Sequence, residues 1–414
     1  MRLIASLLTL AALIVGCGDA GMTGFSPTPI ATPAGPESAM PHLDRSADGT
    51  VVLSWLEGPR DDVTLRFSTL EADTWQPART IARGAEWFVN WADFPSVSPI
   101  STDRWAAHWL PKRPGGIYSY DVAVSLSQDR GASWGVALTP HTDGTPTEHG
   151  FVTLFPWQNR VGVLWLDGRN TTGEGEPHNE GEGHNEGGDG GMTLRVASIA
   201  PDRTLHDEQV VDELVCDCCQ TDVSAGTDGP IAVYRDRTEN EIRDIYVSRA
   251  VDGRWQPGVP VHNDGWKIAG CPVNGPAIAS TGRNVAVAWF TAAGDTPRVR
   301  VSLSGDDAKT FGEPVDLHTR TPLGRVDVEW LDDGVAVVSW LEKSGMKQAE
   351  LCIRTVSADG ELGPLHVVAS TAASRPSGFP QMIRADDRLI FAWTAIGDDI
   401  SQIKTAAVSA EKLR

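Results

Sequence analysis

The chain has 414 residues, with 55 acidic against 35 basic side chains and a formal net charge of −20. So acidic a protein lacks the basic stripe that nucleic-acid binding needs, and anionic lipid head groups would repel it. Glycine (42), proline (27) and tryptophan (15) are plentiful, and long apolar runs at helical period are absent after residue 16, which argues for an all-β protein rich in turns.

At the start of the chain, Arg2 and the apolar run Leu3 to Val15 have the layout of a secretory signal. The run is too short for a transmembrane anchor. It ends Ile14-Val15-Gly16-Cys17, which resembles the lipobox of bacterial lipoproteins. The resemblance implies cleavage before Cys17, lipidation of that cysteine and, with Gly18 rather than Asp after it, an outer-membrane destination in the cell envelope. An ordinary signal peptide with an incidental cysteine is the alternative. Losing Arg2 leaves 34 basic against 55 acidic residues, a balance of −21, so the lipid would be the only membrane attachment. This divides the chain into a leader (1–16), a flexible tether (17–27) and a single domain (28–414).

The domain is built on a repeat. An apolar strand ending in an aromatic residue recurs at Trp55, Trp109, Trp165, Tyr234, Trp289, Trp340 and Trp393. Five of the six intervals between these copies are near-equal, and the one long interval holds a low-complexity insertion. A short strand and turn precede each copy and an alternating strand follows it, with a fourth strand after that. Seven such units at regular spacing predict radial repetition: a seven-bladed β-propeller of four-stranded antiparallel blades, with strands A to D running from inner to outer. The last unit runs out of chain before its strand D. Thr28 to Gly35 resembles the fourth strand Pro77 to Gly84, so residues 28–33 are expected to pair onto blade seven and close the ring.

Between strands C and D of the second unit stands Ser127-Gln128-Asp129-Arg130-Gly131-Ala132-Ser133-Trp134. Asp129 can accept backbone N–H bonds across a tight turn, Gly131 supplies a positive φ and Trp134 can bury its ring. This segment resembles the Asp-box (BNR) repeat of sialidase-like β-propellers. Ser304 to Phe311 is a worn copy, and Ser68 to Trp75 and Ser248 to Trp255 keep only the serine and tryptophan. Sialidases of this superfamily hold a substrate carboxylate with three arginines and react through a tyrosine activated by a glutamate, with an aspartate as acid/base. The chain departs from that pattern. It lacks the N-terminal Arg-Ile-Pro type motif, has four tyrosines, and counts seven units where known sialidases have six blades. Fold alone does not carry activity.

Strand order places D-to-A and B-to-C connections on one face and the Asp-box turns on the other. On the first face gather Val215-Cys216-Asp217-Cys218-Cys219-Gln220-Thr221-Asp222 and Gly270-Cys271-Pro272, entering adjacent blades. One reading is a pair of disulfides among Cys216, Cys218, Cys219 and Cys271, for example Cys216–Cys219 and Cys218–Cys271, formed in an oxidising compartment. Cys352 reads as an inert core thiol. The other reading is a soft-metal site, copper or zinc, from Cys218, Cys219 and Cys271 with His42 or His149; no other cofactor is implied. The insertion at 171–191 sets His178 and His184 among glutamates. It reads as a solvated glycine-rich loop, with a weak exchangeable metal site as the alternative.

Arg169, Arg235, Arg237 and Arg325 lie on or near the same face. They could grip a carboxylate bidentately, or spend their charge on the acids beside them. Asp222 and Asp236 are the candidates for proton transfer. Three functions follow: a lipid-anchored propeller, monomeric, binding a small molecule or glycan on this top face; an exo-α-sialidase or other glycoside hydrolase; or a periplasmic metal-binding protein.

Overall fold

The computed structural model describes residues 25–171, 190–331, 334–397 and 400–413. Cys17 with its leader, and residues 172–189 of the acidic insertion, lie outside the described residues.

Seven antiparallel sheets follow one another along the chain. The aromatic-ended repeat is the B strand of each: Val51–Glu57, Trp105–Trp109, Arg160–Asp167, Pro230–Arg235, Asn284–Thr291, Ala336–Lys343 and Arg388–Gly397. The inner A strands are Ser38–Arg45, Ser96–Pro99, His149–Trp157, Asp222–Ala225, Ala277–Thr281, Pro322–Trp330 and Gln381–Ala385. Among the described residues, helical structure is confined to short 3-10 turns such as Arg375–Ser377. Thr28–Ile30 pairs antiparallel with the C strand Ile400–Ser409, in register Thr28 with Ala407 and Ile30 with Thr405. The seventh blade thus takes its outer strand from the start of the domain. Ile30 buries its side chain against Ile390 and Ile403, so the closure is apolar as well as hydrogen-bonded.

Blade two differs from the expected four strands. After Ala123–Ser127 the chain makes a single bridge, Val124 with Leu138. Pro140 follows at once and has no N–H to continue a ladder. The segment rises instead to the top face, where it supplies His141 and Asp143.

Trp55, Trp165, Tyr234, Trp289 and Trp340 are buried, supplying area to the inter-blade core and hiding a polar atom against an acid, whereas Trp109 and Trp393 are half-buried. Trp55 Nε1 donates to Glu57 at 3.0 Å, Trp165 to Asp167 at 2.7 Å and Trp340 to Glu342 at 2.9 Å. The signal is Trp-x-Asp/Glu, two residues apart and so on one side of the strand. Tyr234 donates to Asp212 at 2.6 Å, and Trp289 to Asp264 at 2.7 Å.

The C-to-D turns hold neighbouring blades together on the bottom face. Asp129 accepts from Ser127 Oγ and from the N–H and Oγ of Ser133, and the Gly131 N–H donates to Ser127 Oγ. Asp306 repeats this, accepting from Ser304 Oγ and from the N–H and Oγ1 of Thr310, while the Ala308 N–H donates to Ser304 Oγ. The residue after each aspartate reaches the preceding blade. Arg130 binds Asp48 and Thr50 of blade one, and Asp307 binds Thr227 and Arg249 of blade four.

The A strands surround a central cavity of about 390 Å³ whose walls carry Asp44, Asp222, Asp327 and Glu329. Asp222 and Asp327 strap one blade to the next by accepting the N–H of Ile278 (2.9 Å) and Met382 (2.7 Å). Burial raises all four acids: Asp222 to about 6, Asp44 and Glu329 to about 7, and Asp327 well above the usual carboxylate range.

Two outcomes follow from this architecture. Removing residues 25–33 should destabilise the whole domain, by about 3 kcal/mol or more from the lost ladder and the exposed isoleucine, seen as a lower urea midpoint. Acids with raised folded pKa values stabilise most below their unfolded pKa, and that contribution fades as pH rises through the folded value. Thermal stability should therefore fall between about pH 4 and 7, and Asp327→Asn should flatten that slope in a pH series of melting curves.

Candidate functional site

The top face is formed by the D-to-A and B-to-C connections, and on blades two to four it gathers acids, arginines, histidines and cysteines. Cys218 and Cys271 are joined by a disulfide, tying the loops that lead into blades four and five. Cys216 and Cys219 are not bonded to each other. Their sulfurs lie 3.2 Å apart, both buried. Burial opposes the Cys219 thiolate, but the bond from Cys216 and the charges of Arg235 and Arg243 hold that thiol below its usual range. Cys352 is a buried free thiol in a C strand.

The four arginines do not converge on one point. Arg235 is buried and donates to the carbonyls of Asn274, Arg243 and Phe290, with its guanidinium 4.9 Å over the Trp266 ring. Arg325 sits at a bulge of its A strand with φ +57°. It donates to Ser374, Ser377 and Gly378 and lies 4.9 Å over Trp91. Both hold loops through backbone oxygens. Arg237 pairs with Asp217 at 3.2 Å and with Glu241 at 2.5 Å, and Arg243 shares the same two acids. Arg169 forks onto Asp167 at 2.7 Å and also meets Glu208 at 3.0 Å.

Asp222 and Asp236 are likewise apart in role. Asp222 is the inner-strand strap described above. Asp236 begins the connection after blade four's B strand, where burial and the negative charge of Asp212 raise it to about 7. His42 faces the central cavity and is kept neutral by burial, its pKa lowered to about 4.

Sequence reasoning missed the group with the most unusual chemistry. The Tyr120 hydroxyl lies 2.6 Å from Glu148 Oε1 and 2.8 Å from Asp93 Oδ2. The phenol has one proton, so it can donate to only one of the two acids at a time. Burial raises Asp93 to about 7 and Glu148 to about 8, the charge of Asp93 adds to the rise of Glu148, and burial and both acids raise the phenol. Asp93 also fixes the chain by accepting the Phe151 N–H at 2.8 Å. Tyr120 itself is buried, stacked on Phe88 at 4.1 Å, while Glu148 is partly buried. Tyr118 is 38% exposed beside this group, within the electrostatic reach of both Glu148 and Arg375. Arg375 is exposed and makes no ion pair among the described residues. The three members of the trio come from three connections, residues 93, 120 and 148, and no local pattern joins them.

Next to Glu148, His149 stacks on His141 with ring centroids 3.9 Å apart and planes 2° from parallel. Asp121, Asp143 and Asp167 surround the two rings. His149 therefore belongs with this cluster, while Cys216, Cys218 and Cys219 form a separate one. The spacing His141-x-Asp143 and then His149 was the available signal. A groove of about 580 Å³ also opens between blades three and four, lined by Trp157, Arg160 and Trp255, but at the A-to-B and C-to-D turns and away from these groups.

No protein-family model matches the chain, and no curated protein matches it in sequence. Solved structures do. The polysaccharide lyase Uly1 is 9% identical, with 87% of this chain and 88% of that one covered and a TM-score of 0.51. The NanB sialidase of Streptococcus pneumoniae is 9% identical over 88% and 84%, at a TM-score of 0.46. A protein of unknown function from Dyadobacter fermentans is 14% identical over 90% and 95%, at 0.48. At such identities the likeness is one of fold: the chain is a seven-bladed β-propeller whose top face carries its own set of residues.

Proposed function

We propose that this is a cell-envelope protein, anchored by lipid at Cys17, whose propeller binds a small polar ligand of the carbohydrate class on its top face above Asp93, Tyr120 and Glu148. The observation that carries the reading is that hydrogen-bonded trio. Two acids and a phenol are packed together under burial with no arginine or lysine bonded to them among the described residues. Such an arrangement works against folding, and groups perturbed in this way concentrate at functional sites. The exposed Arg375 and Tyr118 at its rim offer a cation and a ring face, which suit a sugar bearing a carboxylate. The protein acts as a monomer in this reading, without nucleic acid.

A glycoside hydrolase, of exo-α-sialidase type, is the second reading. It is favoured by one observation: a phenol 2.6 Å from a carboxylate is the pairing a tyrosine nucleophile needs. In that case Arg375, rather than Arg169, Arg235, Arg237 or Arg325, would meet the substrate carboxylate.

Titration against a glycan panel should give saturable binding that Glu148→Gln and Tyr120→Phe weaken at least tenfold with the melting temperature nearly kept. Binding indifferent to both changes would sink the reading. Turnover of a fluorogenic sialoside, abolished by Tyr120→Phe, would establish the hydrolase, and silence across a panel of glycosides would remove it. Cys17→Ser should move the protein from the membrane to the soluble envelope fraction; continued membrane association would contradict the lipid anchor.

A further inference from the structure

We infer that the junction of blades two and three is a binding site for one divalent first-row transition-metal ion. Its ligands are His149 Nε2, Asp143 Oδ2 and Asp167 Oδ2. These three atoms lie within 4.8 Å of one another, a span that one ion can draw together at ligand distances near 2 Å. His149 is fully buried, and its Nε2 has no hydrogen-bond partner among the described residues. That nitrogen lies 3.2 Å from Asp143 Oδ2 and 3.8 Å from Asp167 Oδ2. The other ring nitrogen, Nδ1, faces the carbonyls of Thr147 at 3.2 Å and Tyr120 at 3.3 Å. Donation of Nδ1–H to either carbonyl leaves the Nε2 lone pair aimed at the two carboxylates. This is the arrangement by which a metal-bound histidine is usually oriented.

The supporting shell is also in place. His141 Nδ1 lies 3.2 Å from Asp143 Oδ2 and its Nε2 accepts the Val122 N–H, so the ring stacked on His149 fixes the Asp143 carboxylate. Thr145 holds the other oxygen of Asp143 through its N–H and hydroxyl. Trp165 Nε1 and Arg169 fix Asp167. One imidazole with two carboxylates is a donor set for Mn²⁺, Fe²⁺ or Zn²⁺ rather than for a soft ion such as Cu⁺. Arg169 is the competitor. Its Nη2 stands 2.7 Å from Asp167 Oδ2 and 3.4 Å from Asp143 Oδ2, so an arriving ion must push that guanidinium outward toward Glu208. The alternative occupant of the gap is a proton on His149, which would make the cluster a buried ion-pair network.

The two occupants answer differently to Co²⁺, used as a visible probe on protein first stripped with chelator. The ion should bind at one equivalent, with the weak visible bands of a nitrogen/oxygen site and no thiolate charge-transfer band. His149→Phe and Asp143→Asn should each weaken binding at least tenfold, while His178→Ala with His184→Ala leaves it unchanged. Arg169→Gln, which removes the competing cation, should tighten it several-fold. Substoichiometric binding, binding indifferent to His149 and Asp143, or a thiolate band would overturn the inference. Should those two variants fail to fold, Arg169→Gln decides: unchanged or weaker Co²⁺ binding means that the gap holds a proton.

Discussion

A propeller blade cannot bury its own faces. Each sheet here has three to five strands, and its side chains find an apolar environment only between two neighbouring blades. The core is accordingly divided into clusters that bridge adjacent sheets, as where Trp340 of blade six packs with Ala286 and Val301 of blade five. A ring built this way is satisfied only when the seventh blade meets the first. The pairing of Thr28–Ile30 with Ile400–Ser409 is therefore the contact on which the others rest. Without it blade seven exposes a sheet edge, and blades one and seven lose part of a shared core.

Closure also explains where charge is tolerated. The A strands bring acids of different blades into one narrow space, and Asp44, Asp222, Asp327 and Glu329 face one another there. Two of them work as straps between blades, which a neutral acid can still do through its carbonyl oxygen, if less strongly than an ion. The top face answers burial in the opposite way. Arg169, Arg237 and Arg243 are matched to carboxylates, and Arg235 and Arg325 to rings of carbonyl oxygens. Groups left without such compensation, Asp93 with Tyr120 and Glu148, stand out against that background.

Much of this fold was legible in the sequence because the repeat is set by burial, and burial demands the same residue type at the same place in every blade. The Trp-ended strands gave the blade count, and the likeness of Thr28 to Gly35 to an outer strand gave the closure. The lost D strand of blade two was less visible, since Pro140 alone marks it. The site was legible only in part. The cysteine loops do meet, through Cys218 and Cys271. The arginines are present where expected but are already occupied, because a guanidinium brought under neighbouring loops takes the nearest oxygen atoms. Tyr120, Asp93 and Glu148 meet through blade geometry, and spacing along the chain says nothing of such a meeting.

The closing strand has a mechanical consequence. A pull on the chain ahead of Phe25 first meets the stack of that ring on His366 of blade six, and is then delivered to three residue pairs at the rim of blade seven. Nearby contacts share that load: the Thr405 hydroxyl donates to the Ile30 carbonyl, and Ser38 Oγ accepts the Ile403 N–H. The seam that completes the circle is thus also its first point of mechanical failure. Tension at that end would open the propeller from blade seven toward blade one, leaving the top-face groups of blades two to four until last.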